Sequence, residues 1–399
     1  MSTRTSSARR LTPTLSPEGR GGTAAPTLSP PGRGRGQAAG REGEGAPARK
    51  TLRRPADLIA AGLVAPEREA ELAAVARRFA VAITPDMAGL IERGDESDPI
   101  AQQFVPDARE METRPEEDQD PIGDRRLSPV KGIVQRYPDR VLLKPSHVCP
   151  VYCRFCFRRE QVGPEGQSLS AAELEAALDY IRARPEIWEV IVTGGDPLLL
   201  SPRRLAGIVK ALDVIPHLGV IRFHTRVPIV QAERVGPALV KALRAEKAVY
   251  VAIHANHPRE LTEKARAACL RLARAGISLL GQSVLLKGVN DDAAVLEALF
   301  RGLAAMRVKP YYLHHPDLAR GTARFRPTLD QGQALMRRLR GRVSGLCQPT
   351  YVLDLPGGHG KVPVGPCYAT PQDRSGTWSI TDPTGQAHQY PPRSVDIKD

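Results

Sequence analysis

Three cysteines spaced C-x3-C-x2-C stand out in this 399-residue chain: Cys149, Cys153 and Cys156, in Cys149-Pro-Val-Tyr-Cys153-Arg-Phe-Cys156. Three thiolates can hold three irons of a [4Fe-4S] cube, whose ordinary complement is four cysteinates. The fourth iron is then open, and a metal position lacking a protein ligand is one where substrate or cofactor binds, as in catalytic zinc sites. A zinc knuckle, a disulfide pair or three buried thiols would use closely spaced cysteines too. The remaining cysteines, Cys269, Cys347 and Cys367, lie far apart in sequence. That scatter suits a reducing compartment better than a disulfide scaffold.

A second chemical signal is Asp354-Leu-Pro-Gly-Gly-His-Gly-Lys361. A lysine after a flexible glycine run can swing its amine into a pocket, and a dry, cationic setting suits such an amine to Schiff-base chemistry. A glycine-rich turn ending in a solvated lysine is the ordinary alternative, and the phosphate-loop pattern is not met. Thr193-Gly194-Gly195-Asp196 is a strand exit whose glycines let a ligand come close to the backbone. His224-Thr-Arg226, His254-Ala-Asn-His257 and Gln282-Ser283 offer further polar groups, although isolated ones are more often satisfied core residues than ligands.

The elements that must position these residues follow a repeating pattern. Val141-Leu-Leu-Lys-Pro, Glu189-Val-Ile-Val-Thr, Val220-Ile-Arg-Phe-His, Val249-Tyr-Val-Ala-Ile, Ser278-Leu-Leu-Gly-Gln and Val308-Lys-Pro-Tyr-Tyr read as strands, each followed by a helical pattern. Strand-then-helix units at intervals of roughly 30 residues imply a parallel sheet with right-handed crossovers. An open doubly wound sheet would satisfy the same alternation. Every polar constellation, however, lies at or just after the C-terminal end of a strand, where barrels gather their active sites. Before the first strand, apolar residues at helical spacing predict helices between Pro55 and Ile91, and the acidic stretch Glu110 to Asp120 reads as loop. Residues 1–51 are rich in Pro, Gly, Ser and Arg, contain a near-repeat at Thr14 and Thr27, and cannot form a packed core. The organisation expected is this tail, a helical extension over 52–135, a barrel over 136–345 and a C-terminal segment over 346–399.

With its lead-in Arg136-Tyr-Pro-Asp-Arg140 and its exit Phe157-Arg158-Arg159, the cysteine segment resembles the cluster loop of radical S-adenosylmethionine (SAM) enzymes, and more narrowly that of the lysine 2,3-aminomutase family. The resemblance covers about Leu52 to Pro383. It implies an α/β fold, a partial (β/α)6 TIM-like barrel open on one side, with a helical N-terminal segment and a C-terminal segment bearing the cofactor lysine. It implies a [4Fe-4S] cluster on Cys149, Cys153 and Cys156, and SAM held by Gly194, Gly195, Asp196, Arg226 and Gln282. Lys361 would carry pyridoxal 5′-phosphate (PLP), gripped by Arg136, Tyr137 and Arg140. Arg158 would pair with the substrate carboxylate, and Asp317 and Asp354 with the distal ammonium of lysine. Two anions aimed at one point repel unless a cation sits between them, so the pair selects a charged tail. The activity implied is an isomerase that moves the 2-amino group of lysine to C3, with a flavodoxin- or ferredoxin-like reductant and a homo-oligomeric state. A mutase serving modification of elongation factor P, one for another basic amino acid, and a radical SAM enzyme without PLP are the rival readings.

Two departures from the family pattern stand out. His359 occupies a position where relatives have glycine, and His314 one where they commonly have an aromatic beside PLP. No zinc site is expected, since beyond Lys361 only Cys367 and His388 are available. The formal charge of +13 invites a nucleic-acid reading, but residues 1–50 carry nine Lys/Arg and three Glu, nearly half of that excess, without aromatics to stack bases. No apolar run reaches the roughly 18 residues of a membrane span, and the first residues lack an apolar core of a signal peptide. A cytoplasmic enzyme acting on a small amino acid, with no nucleic-acid or membrane partner, is the expectation.

Overall fold

The computed structural model describes residues 50–163, 166–372 and 376–392, so most of the expected N-terminal tail lies outside the described residues. Nine strands form one sheet in sequential order: β1 (Ile133–Tyr137), β2 (Arg140–Ser146), β3 (Glu189–Gly194), β4 (Val220–Thr225), β5 (Ala248–His254), β6 (Ser278–Val284), β7 (Lys309–His314), β8 (Thr350–Leu355) and β9 (Gly360–Pro363). Strands β2 to β8 are mutually parallel, while β1 and β9 run antiparallel to their neighbours at the two edges. The alternation of six strand-helix units is borne out from β2 to β7, and the class is α/β with a partial barrel.

Parallel strands need crossovers, and the return helices begin on residues that satisfy their free N–H groups. Ser170 caps the helix Ala171–Arg182, Ser201 caps Pro202–Asp213, Thr262 caps Glu263–Arg274, Asp292 caps Ala293–Ala305 and Thr328 caps Leu329–Leu339. The period of two along each strand then sorts the side chains. Val190 and Val192 of β3, and Ile221 and Phe223 of β4, are fully buried in the core between sheet and helices. Their alternates Ile191, Thr193, Arg222 and His224 line the lumen. Burial on one face and polar display on the other is what lets one sheet be both core and active-site wall.

Beyond the sequence expectation, the sheet continues past residue 345 into β8 and β9, and Arg136 and Tyr137 belong to an edge strand of their own. Edges β1 and β9 do not pair through their backbones. Side chains bridge the gap instead: the Lys361 N–H donates to Tyr137 Oη at 2.6 Å, and Arg136 Nη1 donates to Asp354 Oδ1 at 2.8 Å. The glycine run between β8 and β9 is ordered by this closure. Gly357, Gly358 and Gly360 all have φ between 74° and 105°, which glycine alone adopts cheaply. His359 has φ −74°, so a side chain at that position meets no backbone strain. A separate antiparallel sheet, β10 (Ala369–Pro371), β11 (Trp378–Thr381) and β12 (Ala387–Tyr390), follows.

The N-terminal extension is a brace rather than a loose appendage. Helices Pro55–Ala60 and Glu69–Arg78 bury Leu58 and Leu72 in the common core. The acidic stretch Glu110 to Asp120 is mostly loop after the turn Ala108–Met111, as expected, and contributes two buried carboxylates, Glu110 and Glu117.

Candidate active site

A cavity of about 780 Å³ fills the lumen, near the upper end of the range for small-molecule sites. Its wall includes all three motif cysteines together with Arg158, Gly195, Asp196, Arg226 and Gln282, and equally Arg136, Tyr137, Arg140, Asp317, Asp354 and Lys361. Gly194, His257 and Asn256 do not reach it. The fold thus brings nearly every sequence-selected residue to one space, from positions as distant as 136 and 361.

The cysteine loop, between β2 and the helix Ala171–Arg182, is fixed by buried charge. Arg154 donates through Nε to Glu110 Oε1 at 2.9 Å and through Nη1 to Ala80 O at 2.8 Å. Arg159 pairs with the same carboxylate and donates to Arg154 O and Gly321 O at 2.9 and 3.0 Å. Burial alone would raise the Glu110 carboxyl, yet the two guanidiniums outweigh it and hold it below the ordinary range. Phe155, also in the loop, packs edge-on against His254 and Phe325.

The glycines after β3 serve the same end. A Cβ on Gly194 would lie 2.6 Å from Ser146 O, and one on Gly195 2.4 Å from Val148 O, because the loop's first residues cross there. Gly195 N–H donates to Ser146 O at 2.7 Å, and Asp196 N–H to Val148 O at 2.9 Å. The Asp196 carboxylate accepts from Thr225 Oγ1, Arg226 N, Leu198 N and Val227 N, lashing the ends of β3 and β4 together.

Burial pushes the Cys149 thiol well above its ordinary value and the Cys156 thiol up to about 11. Arg226 donates from Nη1 to Cys153 Sγ at 2.9 Å while Glu260 and Gln103 hold its Nη2. Among the described residues no three Cys, His, Asp or Glu side chains converge on a single-ion site. A polynuclear cluster makes no such demand, because each thiolate takes a different iron. Three thiols facing one cavity, one already receiving a charged donor, fit such a group.

Around Lys361 the polar groups pair among themselves. The β8–β9 register sets Asp354 directly across from Lys361, and the Asp354 carboxylate binds both Lys361 Nζ and Arg136. Burial would raise Asp354, but His314 and Lys361 hold it far below the usual carboxylate range. Arg140 stacks on the Tyr137 ring with its guanidinium carbon 3.7 Å from the centroid. Arg136 Nε is buried and lacks a partner among the described residues, which leaves a donor for an anion. Arg158 is tethered through Nε to Asp124 Oδ2 at 2.8 Å, and its two Nη groups have no hydrogen-bond partner among the described residues.

Asp317 is the exception in this neighbourhood. Among the described residues its Oδ1 is buried without a partner, and burial, with Asp354 as a second negative charge, pushes its carboxyl up to about 7. A buried carboxylate left short of a donor is costly, so the position is built for an arriving cation. Sequence reasoning missed Glu110, Asp124 and Glu260, which position the arginines of the site. The signal available for Glu110 and Asp124 was the arginine content of the cysteine loop, and for Glu260 the arginine after β4, since buried guanidiniums require carboxylates from elsewhere.

A lumen lined at its C-terminal end by a three-cysteine loop defines a radical SAM enzyme. Residues 143–299 match the family model for the radical SAM superfamily. Residues 336–377 match a second model, that for lysine-2,3-aminomutase. The chain is 41% identical over 306 residues to the L-lysine 2,3-aminomutase of Clostridium subterminale, covering 77% of this chain and 74% of that protein. It is 36% identical to the L-lysine 2,3-aminomutase of Escherichia coli (strain K12), covering 72% of this chain and 83% of that one. To the glutamate 2,3-aminomutase of Clostridioides difficile (strain 630) it is 38% identical, covering 74% and 69%. The chain belongs to the lysine 2,3-aminomutase family of radical SAM enzymes, and is an isomerase whose family works with a [4Fe-4S] cluster and SAM.

Proposed function

We propose that this enzyme is a PLP-dependent radical SAM aminomutase that moves the 2-amino group of L-lysine to C3, giving β-lysine. The observation that carries the substrate is Asp317, whose Oδ1 is buried without a partner among the described residues, in the same cavity as Arg158 and Lys361. When bound, the reduced cluster and SAM would supply radical chemistry at the substrate, and PLP would supply an aldehyde to hold its amino group.

Each residue then has a task. Cys149, Cys153 and Cys156 hold three irons, with Arg226 stabilising the Cys153 thiolate. Gly195, Asp196, Arg226 and Gln282 receive SAM beside the loop, and Gly194, set back from the cavity, lets the loop pass close to β3. Lys361 carries PLP, and Arg136, Tyr137 and Arg140 seat it. Arg158 takes the substrate carboxylate through its free Nη pair, a planar fork suited to that group. Asp317 and Asp354 take the distal ammonium. Arg136 and Lys361, now bound to Asp354, are released as ligands enter, so charges are exchanged rather than newly buried. An external flavodoxin- or ferredoxin-like reductant, a homo-oligomeric state and a cytoplasmic location complete the reading.

The test is anaerobic reconstitution with iron, sulfide, PLP, SAM and dithionite, given lysine, arginine and glutamate in parallel. β-Lysine from lysine alone is the expected product by mass spectrometry. SAM consumption without β-lysine would overturn the substrate, and product formation without PLP would overturn the cofactor.

A further inference from the structure

Lys361 can add to an aldehyde only as a neutral amine, and its Nζ lies against the Asp354 carboxylate. Asp354 is a poor proton acceptor, because Arg136 also holds it at 2.8 Å. The other group in contact with Nζ is His314, the last residue of β7, whose Nδ1 lies 3.2 Å away. The same Nδ1 is 3.8 Å from Asp354 Oδ2. The three groups form a triangle on three adjacent strands, with Tyr312 edge-on beneath the imidazole, its ring centroid 5.6 Å away.

We propose that His314 is the base that takes a proton from the Lys361 ammonium through Nδ1, freeing the amine to attack the PLP aldehyde. The inference rests on the reading that Lys361 carries PLP. The Nζ–H bond breaks as Nδ1–H forms. The amine nitrogen then bonds to the aldehyde carbon, and the aldehyde oxygen leaves as water, with no oxidant or reductant needed. The charge count supports this transfer. Burial and the Lys361 charge keep the imidazole neutral beforehand. As the proton moves, the repelling cation disappears and the new imidazolium faces Asp354, so the carboxylate is opposed by one of the pair throughout. The other titratable groups facing the triangle reinforce the direction. His224 and His254, across the lumen on β4 and β5, are pushed well below ordinary imidazole values, burial being the largest cause, and are neutral. Asp317 and Arg158 line the same cavity.

The experiment follows covalent attachment of PLP to Lys361 in the full, cluster-loaded chain. It is read by absorbance and by borohydride trapping with mass analysis of the Lys361 peptide, as a function of pH. His314→Phe keeps the ring and removes the base; His314→Asn is a second variant with a smaller packing change. Near neutral pH both are expected to attach PLP about 100-fold more slowly, the range for a lost general base, with the rate profile moved alkaline by about a pH unit or more. In His314→Asn, added imidazole is expected to restore part of the rate. Unchanged rate profiles in a variant that retains its cluster would overturn the role of His314. Failure of the wild-type chain to attach PLP at any pH would overturn the cofactor reading and this inference with it, an outcome plainly distinguishable from the first.

Discussion

The cysteine loop and the β8–β9 edge face one cavity but are built on opposite terms. Around the cysteines, charged groups are paired within the fold: Glu110 with Arg154 and Arg159, Arg226 with Glu260 and Gln103, and Asp196 with four donors. Around Lys361 the pairs are provisional. Asp354 neutralises the lysine and arginine that a cofactor would claim, and Asp317 is left short of a partner. A metal cluster needs ligands held in one place, whereas a substrate site must exchange partners as charges arrive and leave. The first region is a frame and the second a set of placeholders.

The sharpest way to break the contrast is at Glu110. Replacing it with Gln leaves two buried guanidiniums short of their counter-charge, and removal of one side of such a network costs about 3–5 kcal/mol. Thermal unfolding is expected to fall steeply, with loss of retained iron. A stable variant with full iron content would show that the frame is not the brace described.

The next largest effect belongs to Asp317→Asn. Loss of one charge-assisted contact corresponds to about 1.5–3 kcal/mol of lysine affinity, roughly 10–100-fold. Its pH behaviour has a definite sign. The folded carboxyl titrates near 7 rather than at its ordinary 3.8, so the folded chain holds more protons than the unfolded one between these values. Its contribution to stability therefore falls as pH rises through that window. Lysine affinity should rise over the same approach to neutrality, as the carboxylate ionises. In Asp317→Asn the apo protein should gain stability near neutral pH while affinity drops and its pH dependence flattens. Calorimetric titration and thermal melts at several pH values check both; a variant less stable than wild type at neutral pH would count against a strained, unpartnered acid.

Tyr137→Phe should have the smallest effect. It removes the hydrogen bond from Lys361 N–H across the sheet opening, for about 0.5–1.5 kcal/mol. A modest lowering of melting temperature with iron content unchanged is expected. Loss of iron in this variant would mean that the two regions are mechanically coupled after all.

The same contrast explains what was legible in the sequence. The strand-helix alternation from β2 to β7 and the cysteine spacing are local patterns, and both read directly. Strands β1 and β9 did not, being short edges beside proline or glycine. Lys361 read as a lysine on a loop, whereas the register of β9 against β8 sets it opposite Asp354. The carboxylates of the frame were illegible for another reason. Glu110 and Asp124 lie 44 and 34 residues from their arginine partners, in a stretch whose composition resembles solvated loop. His359 read as a departure of unknown cost until its φ of −74° showed that the position does not need glycine.

The most direct test of a fixed frame and an exchangeable site acting on one substrate compares wild type with Lys361→Ala, both reconstituted and given SAM, PLP and lysine. 5′-Deoxyadenosine and β-lysine are measured in the same reaction. Wild type should form β-lysine, while Lys361→Ala should retain its cluster and some reductive cleavage of SAM but form no β-lysine. β-Lysine from the Lys361→Ala chain at the wild-type rate would contradict the account.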